Sequence, residues 1–253
     1  MKAHAEPNLI LRFMLVCSLF GWCTVLLMMI FSPAKTQDVF WRKPVVGSFL
    51  LLISAGGSLI AVSPRTCSAT HRTQMVETSK RSDIKTDSVS SEGHHPDCGR
   101  FSNHTIWFRG NSYCAACTGL LIGGVMAMSV TVLYFFLGLN LQAIGFPAVL
   151  LGQFGPALGF VQFKFKSWIR LTANALFVLG SCLILIGIDK LLHNVFVDVY
   201  VTGLLLVWIL TRVMVSQWDH CRICLACGFS CHKERKVGGL ASSPQRGSGS
   251  DED

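Results

Sequence analysis

Long uncharged stretches of apolar residues alternate with polar connections along this chain. A helix needs about 20 apolar residues to cross the hydrocarbon core of a bilayer, and it satisfies its backbone hydrogen bonds internally. The apolar stretches are 13–31, 45–62, 119–139, 143–163, 171–188 and, interrupted only by Asp198, 195–211. The pattern therefore predicts an all-α membrane protein with about six transmembrane helices, of which the last is the least clearly marked.

The polar connections divide the chain into regions of different character. Two stretches carry few apolar residues and many small or charged ones, a composition typical of disorder. Two others are rich in cysteine and histidine and flank the later helices. The predicted regions are 1–62 (two helices), 63–93 (disordered loop), 94–118 (Cys/His-rich), 119–215 (four helices), 216–236 (Cys-rich, juxtamembrane) and 237–253 (disordered tail).

Composition and charge support a membrane protein and suggest its orientation. Hydrophobic residues make up 51% of the chain and charged residues 14%, too few charges to cover a soluble surface. With six helices, 18 of the 22 Lys and Arg residues fall on the side of the termini. The positive-inside rule then places both termini and both cysteine segments in the cytosol. The net charge of +8 indicates attraction to an anionic leaflet. The lipid bilayer is the predicted partner, and no further feature indicates nucleic acid.

The first cysteine segment has the spacing of a metal site. Cys114 and Cys117 form a Cys-x-x-Cys pair, which places two thiols close enough to bind one metal ion. Cys98 and a histidine from His94, His95 or His104 would complete four ligands, so zinc is the predicted metal. The same pair opens the third helix, whose N-terminus stabilises thiolates, so a redox dithiol is an alternative. Ordinary buried cysteines are the remaining interpretation.

Residues 94–124 also carry a wider signature, a His/Cys-Arg-Phe segment followed by a Cys-Ala-x-Cys-Thr-Gly turn. The matching residues are His95, Cys98, Arg100, Phe101, Cys114, Cys117, Thr118 and Gly119. This run resembles the signature of a family of small polytopic membrane proteins without an established activity. Ala116 stands where many members have arginine. The resemblance implies the membrane architecture and the importance of the segment, and it implies no reaction.

The second cysteine segment has the spacing C-x2-C-x2-C-x3-C, formed by Cys221, Cys224, Cys227 and Cys231. This spacing occurs in bacterial ferredoxins, so an iron–sulfur cluster is one interpretation. Zinc bound by the same four thiols is the favoured one, and S-acylation beside the membrane is a third. Four helices separate the two segments, and this even number predicts that they lie on the same face of the bilayer.

Several polar and small residues fall within the apolar stretches. Asp189 and His193 are one helical turn apart, which suits a proton relay, but a solvated Asp–Lys pair at an interfacial turn is the favoured interpretation. Gly119-x-x-x-Gly123 and Gly155-x-x-x-Gly159 predict close contacts between helices.

Three functions remain open from the sequence. The leading hypothesis is a membrane protein with cytosolic thiolate sites for zinc. The second is a membrane oxidoreductase that uses an iron–sulfur cluster or the Cys114/Cys117 dithiol. The third is a transporter with an intramembrane relay formed by Asp189, His193 and Asp198 with Gln153. No nucleophile elbow, phosphate loop or pair of catalytic carboxylates indicates a particular enzyme.

Overall fold

A computed structural model describes residues 8–31, 40–62, 91–92, 95–96, 101–109, 111–139 and 145–226. The predicted disordered tail 237–253 and the part 63–90 of the predicted loop lie outside these residues. Where the chain is described, it forms six apolar helices: α1 (Leu9–Phe31), α2 (Arg42–Val62), α3 (Ala115–Thr131), α4 (Gly145–Phe160), α5 (Ser167–Leu192) and α6 (Val195–Ala226). A π-helical turn, Val132–Phe136, continues α3. The predicted all-α membrane architecture is thus confirmed.

Five of these helices are long and apolar enough to cross a bilayer. The exception is α4, which has 16 residues and hence a length of about 24 Å, less than the ~30 Å of a hydrocarbon core. The sixth stretch, which is the least clearly marked in the sequence because Asp198 interrupts it, forms one continuous helix. With 32 residues α6 is the longest helix. It continues past Asp198, Arg212 and Asp219 because each of these side chains is buried in the bundle rather than marking a helix end.

Within the described ranges, strand structure is confined to short elements between α2 and α3. Strands β1 (Ser91–Glu92) and β2 (His95–Pro96) pair with each other. A 3-10 turn, Ser102–His104, precedes β3 (Thr105–Phe108), which forms an antiparallel hairpin with β4 (Asn111–Cys114). Arg109 closes the hairpin with a φ of 49°. Strand β4 ends at Cys114, and α3 begins at the next residue, Ala115.

Helix α5 lies at the centre of the bundle and packs against α3 and α4. Its neighbours approach closely because they present glycines. A Cβ atom at Gly123 would lie 2.6 Å from the carbonyl oxygen of Ala175, and one at Gly152 would lie 2.7 Å from that of Gly180. Gly119, Gly155 and Gly159 likewise face α5 without room for a side chain. The close contacts predicted from both Gly-x-x-x-Gly motifs are confirmed.

Helix α1 lies on the outside of the bundle and runs antiparallel to α6. Near its start, the Ser18 hydroxyl is 2.7 Å from that of Thr211, and nearer its end the Thr24 hydroxyl is 2.6 Å from that of Tyr200. The indole of Trp208 donates to the Ser18 carbonyl at 3.1 Å. The start of α1, the hairpin before α3 and the end of α6 therefore share one end of the bundle, which we call the hairpin end.

Candidate functional site

The predicted Cys-x-x-Cys pair lies where the hairpin meets α3. Cys114 ends β4 and is the N-cap residue of α3, with extended backbone, and Cys117 lies in the first helical turn. Both are reduced thiols, outside any disulfide, and both are half-buried. The Thr118 hydroxyl donates to the Cys114 carbonyl at 2.9 Å and so ties the first turn to the hairpin. Two thiols thus share one helical turn at a helix N-terminus, a place that favours their ionised form.

The hairpin is held against the bundle by apolar side chains. Phe101 and Ile106 are buried, and the Phe101 ring lies 4.9 Å from the ring of His220 on α6. His220 directly precedes Cys221, the first residue of the second cysteine segment. The predicted proximity of the two segments is therefore found for the residues that flank the cysteines. In one respect the prediction was wrong, because Cys221 and Cys224 lie on α6 itself rather than after it.

A polar group at the hairpin end joins the hairpin, α5 and α6. Arg170 donates from Nη2 to Asp219 Oδ2 at 2.6 Å and from Nη1 to His104 Nδ1 at 2.5 Å. Because a guanidinium only donates, His104 Nδ1 accepts, and its ring proton lies on Nε2, 3.7 Å from Asp219. Arg222 Nη2 lies 2.8 Å from Asp219 Oδ1. We call His104, Arg170, Asp219 and Arg222 the open cluster, because they adjoin a surface cavity.

A second layer continues from the open cluster into the bundle. The Asn174 amide donates to the Arg170 carbonyl at 2.7 Å. The Asn174 side-chain oxygen accepts from Nε of Arg212 at 3.1 Å and from Nη2 of the same residue. All three side chains are buried. Polar contacts thus extend about one helical turn deeper between α5 and α6.

The opposite end of the bundle holds a group with no such opening. One Arg42 nitrogen, Nη1, lies 2.7 Å from Asp189 Oδ1 and 2.7 Å from Asp198 Oδ2. The Tyr134 hydroxyl donates to Asp189 Oδ2 at 2.6 Å. Each of these four side chains is at most 3% exposed. We call Arg42, Tyr134, Asp189 and Asp198 the closed cluster.

The closed cluster corrects the favoured interpretation of the late polar residues. A solvated Asp–Lys pair was expected, yet Asp189 is fully buried and its carboxylate contacts Arg42 and Tyr134. Charge pairing explains the difference, because a carboxylate that finds a guanidinium and a hydroxyl donor can be buried at the end of a helix. His193 is not helical, since its left-handed backbone (φ 47°) ends α5. The His193 N–H still donates to the Asp189 carbonyl at 3.3 Å, so the two residues remain one helical turn apart, but the Asp189 carboxylate is engaged by Arg42 and Tyr134.

Of the predicted metal ligands, the structure describes the side chains of Cys114, Cys117 and Cys221. Cys221 takes part in a disulfide, whereas Cys114 and Cys117 are reduced thiols. The backbone of His95 pairs with Glu92 in the short sheet. Cys98, Cys227, Cys231 and the side chain of Cys224 lie outside what the structure describes. Within the described part of the chain, no group of three or more His, Cys, Asp or Glu side chains is arranged to hold a metal ion.

Sequence reasoning missed the arginine partners. Arg42 and Arg170 had been counted only as loop charges, and Asp219 had not been singled out. Arg42, Arg170 and Asp219 all lie near the edges of apolar stretches. A charged residue at such a position either faces solvent or pairs with an opposite charge inside the bundle. One chain alone does not distinguish these two outcomes.

The chain was compared with known protein families, curated proteins and solved structures. No protein-family model, no curated protein and no solved structure matches it. The resemblance of residues 94–124 to a family signature stays a prediction.

Proposed function

We propose that this membrane protein carries a thiolate metal site at its hairpin end, with Cys114 and Cys117 as two of the ligands and zinc as the metal. The observation that supports this proposal is the position of two reduced, half-buried thiols where the hairpin meets the first turn of α3. A tetrahedral zinc site has four ligands, and two of them are commonly cysteine sulfurs that lie on one turn of the chain. In this proposal His95 and Cys98 supply the other two ligands.

The second cysteine segment differs from the first because one of its sulfurs, that of Cys221, is in a disulfide. A sulfur in a disulfide has no thiolate to offer a metal, and Cys221 takes part in one. Zinc or an iron–sulfur cluster at Cys221, Cys224, Cys227 and Cys231 would therefore require prior reduction. The proposal accordingly rests on the first segment.

Metal analysis of the full-length protein tests the proposal. The protein is purified in detergent without oxygen or chelator, and bound zinc and iron are measured together with an optical spectrum. We expect about one zinc per chain, as a four-ligand site would bind. The double variant Cys114→Ser/Cys117→Ser should lose it. The matched control Cys17→Ser/Cys23→Ser removes two free cysteines from α1 and should retain it. Wild-type protein with less than about a tenth of an equivalent of either metal would contradict the proposal.

A second candidate function, thiol–disulfide exchange, is favoured by the coexistence of a dithiol and a disulfide at the hairpin end. A Cys114 or Cys117 thiolate would attack the Cys221 disulfide and release one sulfur as a thiolate. The other thiol of the pair would then displace the second sulfur. The dithiol is oxidised by two electrons, the disulfide is reduced, and no outside oxidant is needed for this one transfer.

Alkylation with maleimide separates the two functions. Zinc-bound thiols react only after a chelator removes the metal, so a chelator-dependent mass increase of two adducts at Cys114 and Cys117 supports the metal site. Thiols that react at once, and that form a Cys114–Cys117 disulfide in a glutathione buffer, support exchange. A visible absorbance that dithionite bleaches would instead identify an iron–sulfur cluster.

The orientation of the hairpin end is a separate proposal. We infer from the positive-inside asymmetry that this end faces the cytosol. The sequon Asn103-His104-Thr105 provides the test, because Asn103 is exposed at this end. The protein expressed in a eukaryotic host should carry no glycan at Asn103, and its mass should not change with glycosidase or with Asn103→Gln. A glycan there would place the hairpin end in an oxidising compartment, where the Cys221 disulfide would be expected.

A further inference from the structure

A surface cavity of about 570 Å³ lies at the hairpin end, between the turn before β3, the α4–α5 connection and the end of α6. The 3-10 turn of the α4–α5 connection spans Gln162–Lys164. The thiolate proposal makes no use of this cavity. Its lining combines basic, aromatic and small polar side chains: Ser102, Asn103, Phe163, Lys164, Phe165, Lys166, Arg222 and Ile223, with His104 and Asp219 at one side.

The charge of the cavity is positive. Lys164 and Lys166 are exposed at its edge, and Arg222 lines it with 42% of its side chain exposed. Among the described residues, the one carboxylate in the lining is Asp219, which is 1% exposed and is paired from inside the bundle by Arg170 at 2.6 Å. Three basic side chains therefore line a solvent-accessible space, and the negative charge of Asp219 beside it is already neutralised by Arg170. Such a space repels cations and attracts anions.

The Arg222 guanidinium is held in place before any ligand arrives. Its Cζ lies 5.0 Å from the Trp218 ring centre and 5.9 Å from the Phe163 ring centre, and Nη2 is bound to Asp219. The two rings contact each other edge to face at 5.5 Å. A guanidinium has five N–H donors in a planar fork, so one bond to Asp219 leaves donors for a phosphate oxygen. Fixing the group beforehand lowers the entropy cost of binding.

The position of the cavity relates it to the bilayer. It lies at the start of α5 and near the end of the α6 segment that is apolar enough to span a membrane. Phe163, Phe165 and Ile223 give it an apolar side, and Trp218 adjoins it. Aromatic residues and lysines at this depth are typical of the headgroup region. An anion bound here with acyl chains attached could lay those chains along the lipid-facing helices.

We propose that this cavity binds the phosphate of an anionic phospholipid, with Arg222, Lys164 and Lys166 as the cationic contacts and Ser102 and Asn103 as further donors. A soluble anion would use the basic side chains but would gain nothing from Phe163, Phe165 and Ile223. The lipid is therefore the ligand that uses the whole lining. This inference does not depend on metal binding or thiol exchange.

Native mass spectrometry of the full-length protein tests this proposal. The protein is delipidated in detergent and titrated with phosphatidylglycerol or with phosphatidylcholine of the same acyl chains. We expect the first phosphatidylglycerol to bind at least roughly tenfold more tightly, since basic residues near an anionic lipid each contribute severalfold in affinity. The double variant Lys164→Gln/Lys166→Gln should lose most of this preference. Because both lysines are exposed, its melting temperature should stay that of the wild type.

Matched controls make each result decisive. Lys190→Gln removes a lysine at the opposite end of the bundle and should leave the preference unchanged. Inorganic phosphate at equal concentration should neither displace the bound lipid nor raise the melting temperature. Equal affinity for the two lipids, an equal loss in Lys190→Gln, or displacement by inorganic phosphate would each overturn the proposal.

Discussion

The two ends of the bundle treat buried charge differently. In the closed cluster, Arg42 lies between Asp189 and Asp198, and each of these residues is at most 1% exposed. In the open cluster, Asp219 is equally buried, but one of its partners, Arg222, is 42% exposed and lines a cavity. The closed cluster thus pairs its charges away from solvent, whereas the open cluster has a cationic group, Arg222, that lines a cavity.

This difference separates a structural role from a binding role. The closed cluster ties together the starts of α2 and α6 with the ends of α3 and α5, four helix ends in one set of contacts. Its carboxylates are engaged by Arg42 and Tyr134, which argues against their use in a transport relay. The open cluster also joins elements, but its surplus positive charge adjoins solvent. Of the two clusters, the open cluster is therefore the one that can bind a ligand from solution or from the bilayer.

The largest effect is expected from Arg42→Met. The change keeps an apolar stem but leaves two carboxylates buried without their shared guanidinium. Removing one partner of a buried ion pair costs about 3–5 kcal/mol. We expect the melting temperature of the full-length protein in detergent to fall by roughly 10 °C or more. Size-exclusion chromatography after heating measures the folded fraction that remains.

A rescue experiment ties that loss to charge rather than to packing. The triple variant Arg42→Met/Asp189→Asn/Asp198→Asn removes all three charges and should recover at least half of the lost stability. Lys190→Met, a change of the same kind at the same end, should have little effect. If the triple variant melts no higher than Arg42→Met alone, the closed cluster is not held by its ion pairs.

The sequence predicted the helices well because lipid imposes a simple rule on them. A backbone in hydrocarbon must bond within its own helix, so an apolar stretch of the right length is nearly sufficient evidence. Small residues were equally informative, since Gly119, Gly123, Gly155 and Gly159 all face α5 as predicted. The errors concern the ends of the stretches. Arg42 opens α2 and Asp198 lies inside α6, because their charges cancel each other across the bundle.

The candidate site was predicted only in part, for a related physical reason. Local spacing placed Cys114 and Cys117 on one turn, and the even number of helices brought the hairpin to the end of α6. Neither spacing nor helix number reveals which distant side chains pair. Arg170 and Asp219 are 49 residues apart, and His104 and Arg170 are 66 apart. Such contacts depend on helix rotation and packing, which one sequence does not specify.

A smaller effect is expected from Asp219→Asn, the corresponding change in the open cluster. The amide keeps one oxygen acceptor, and water or a dissolved anion reaches Arg222 through the cavity. Arg170 is buried and loses its carboxylate, but it keeps His104 and the amide oxygen as acceptors. We therefore expect a loss of about 2–3 kcal/mol, less than for Arg42→Met, where two carboxylates lose their shared guanidinium. The two variants should also differ in their response to salt. Chloride or phosphate should raise the melting temperature of Asp219→Asn, because an anion can take the place of the missing carboxylate beside Arg222.

Arg42→Met should show no comparable response, since no anion is needed where two carboxylates are in excess and solvent does not enter. Melting curves of the wild type and both variants at low and high salt measure this contrast. Salt screening acts on every exposed charge, so the wild type sets the baseline for each shift. If Asp219→Asn lost as much stability as Arg42→Met and salt restored none of it, the two ends would be equally sealed. The hairpin end would then have no accessible anion site. The open cluster would be closed to solvent in the same way as the closed cluster.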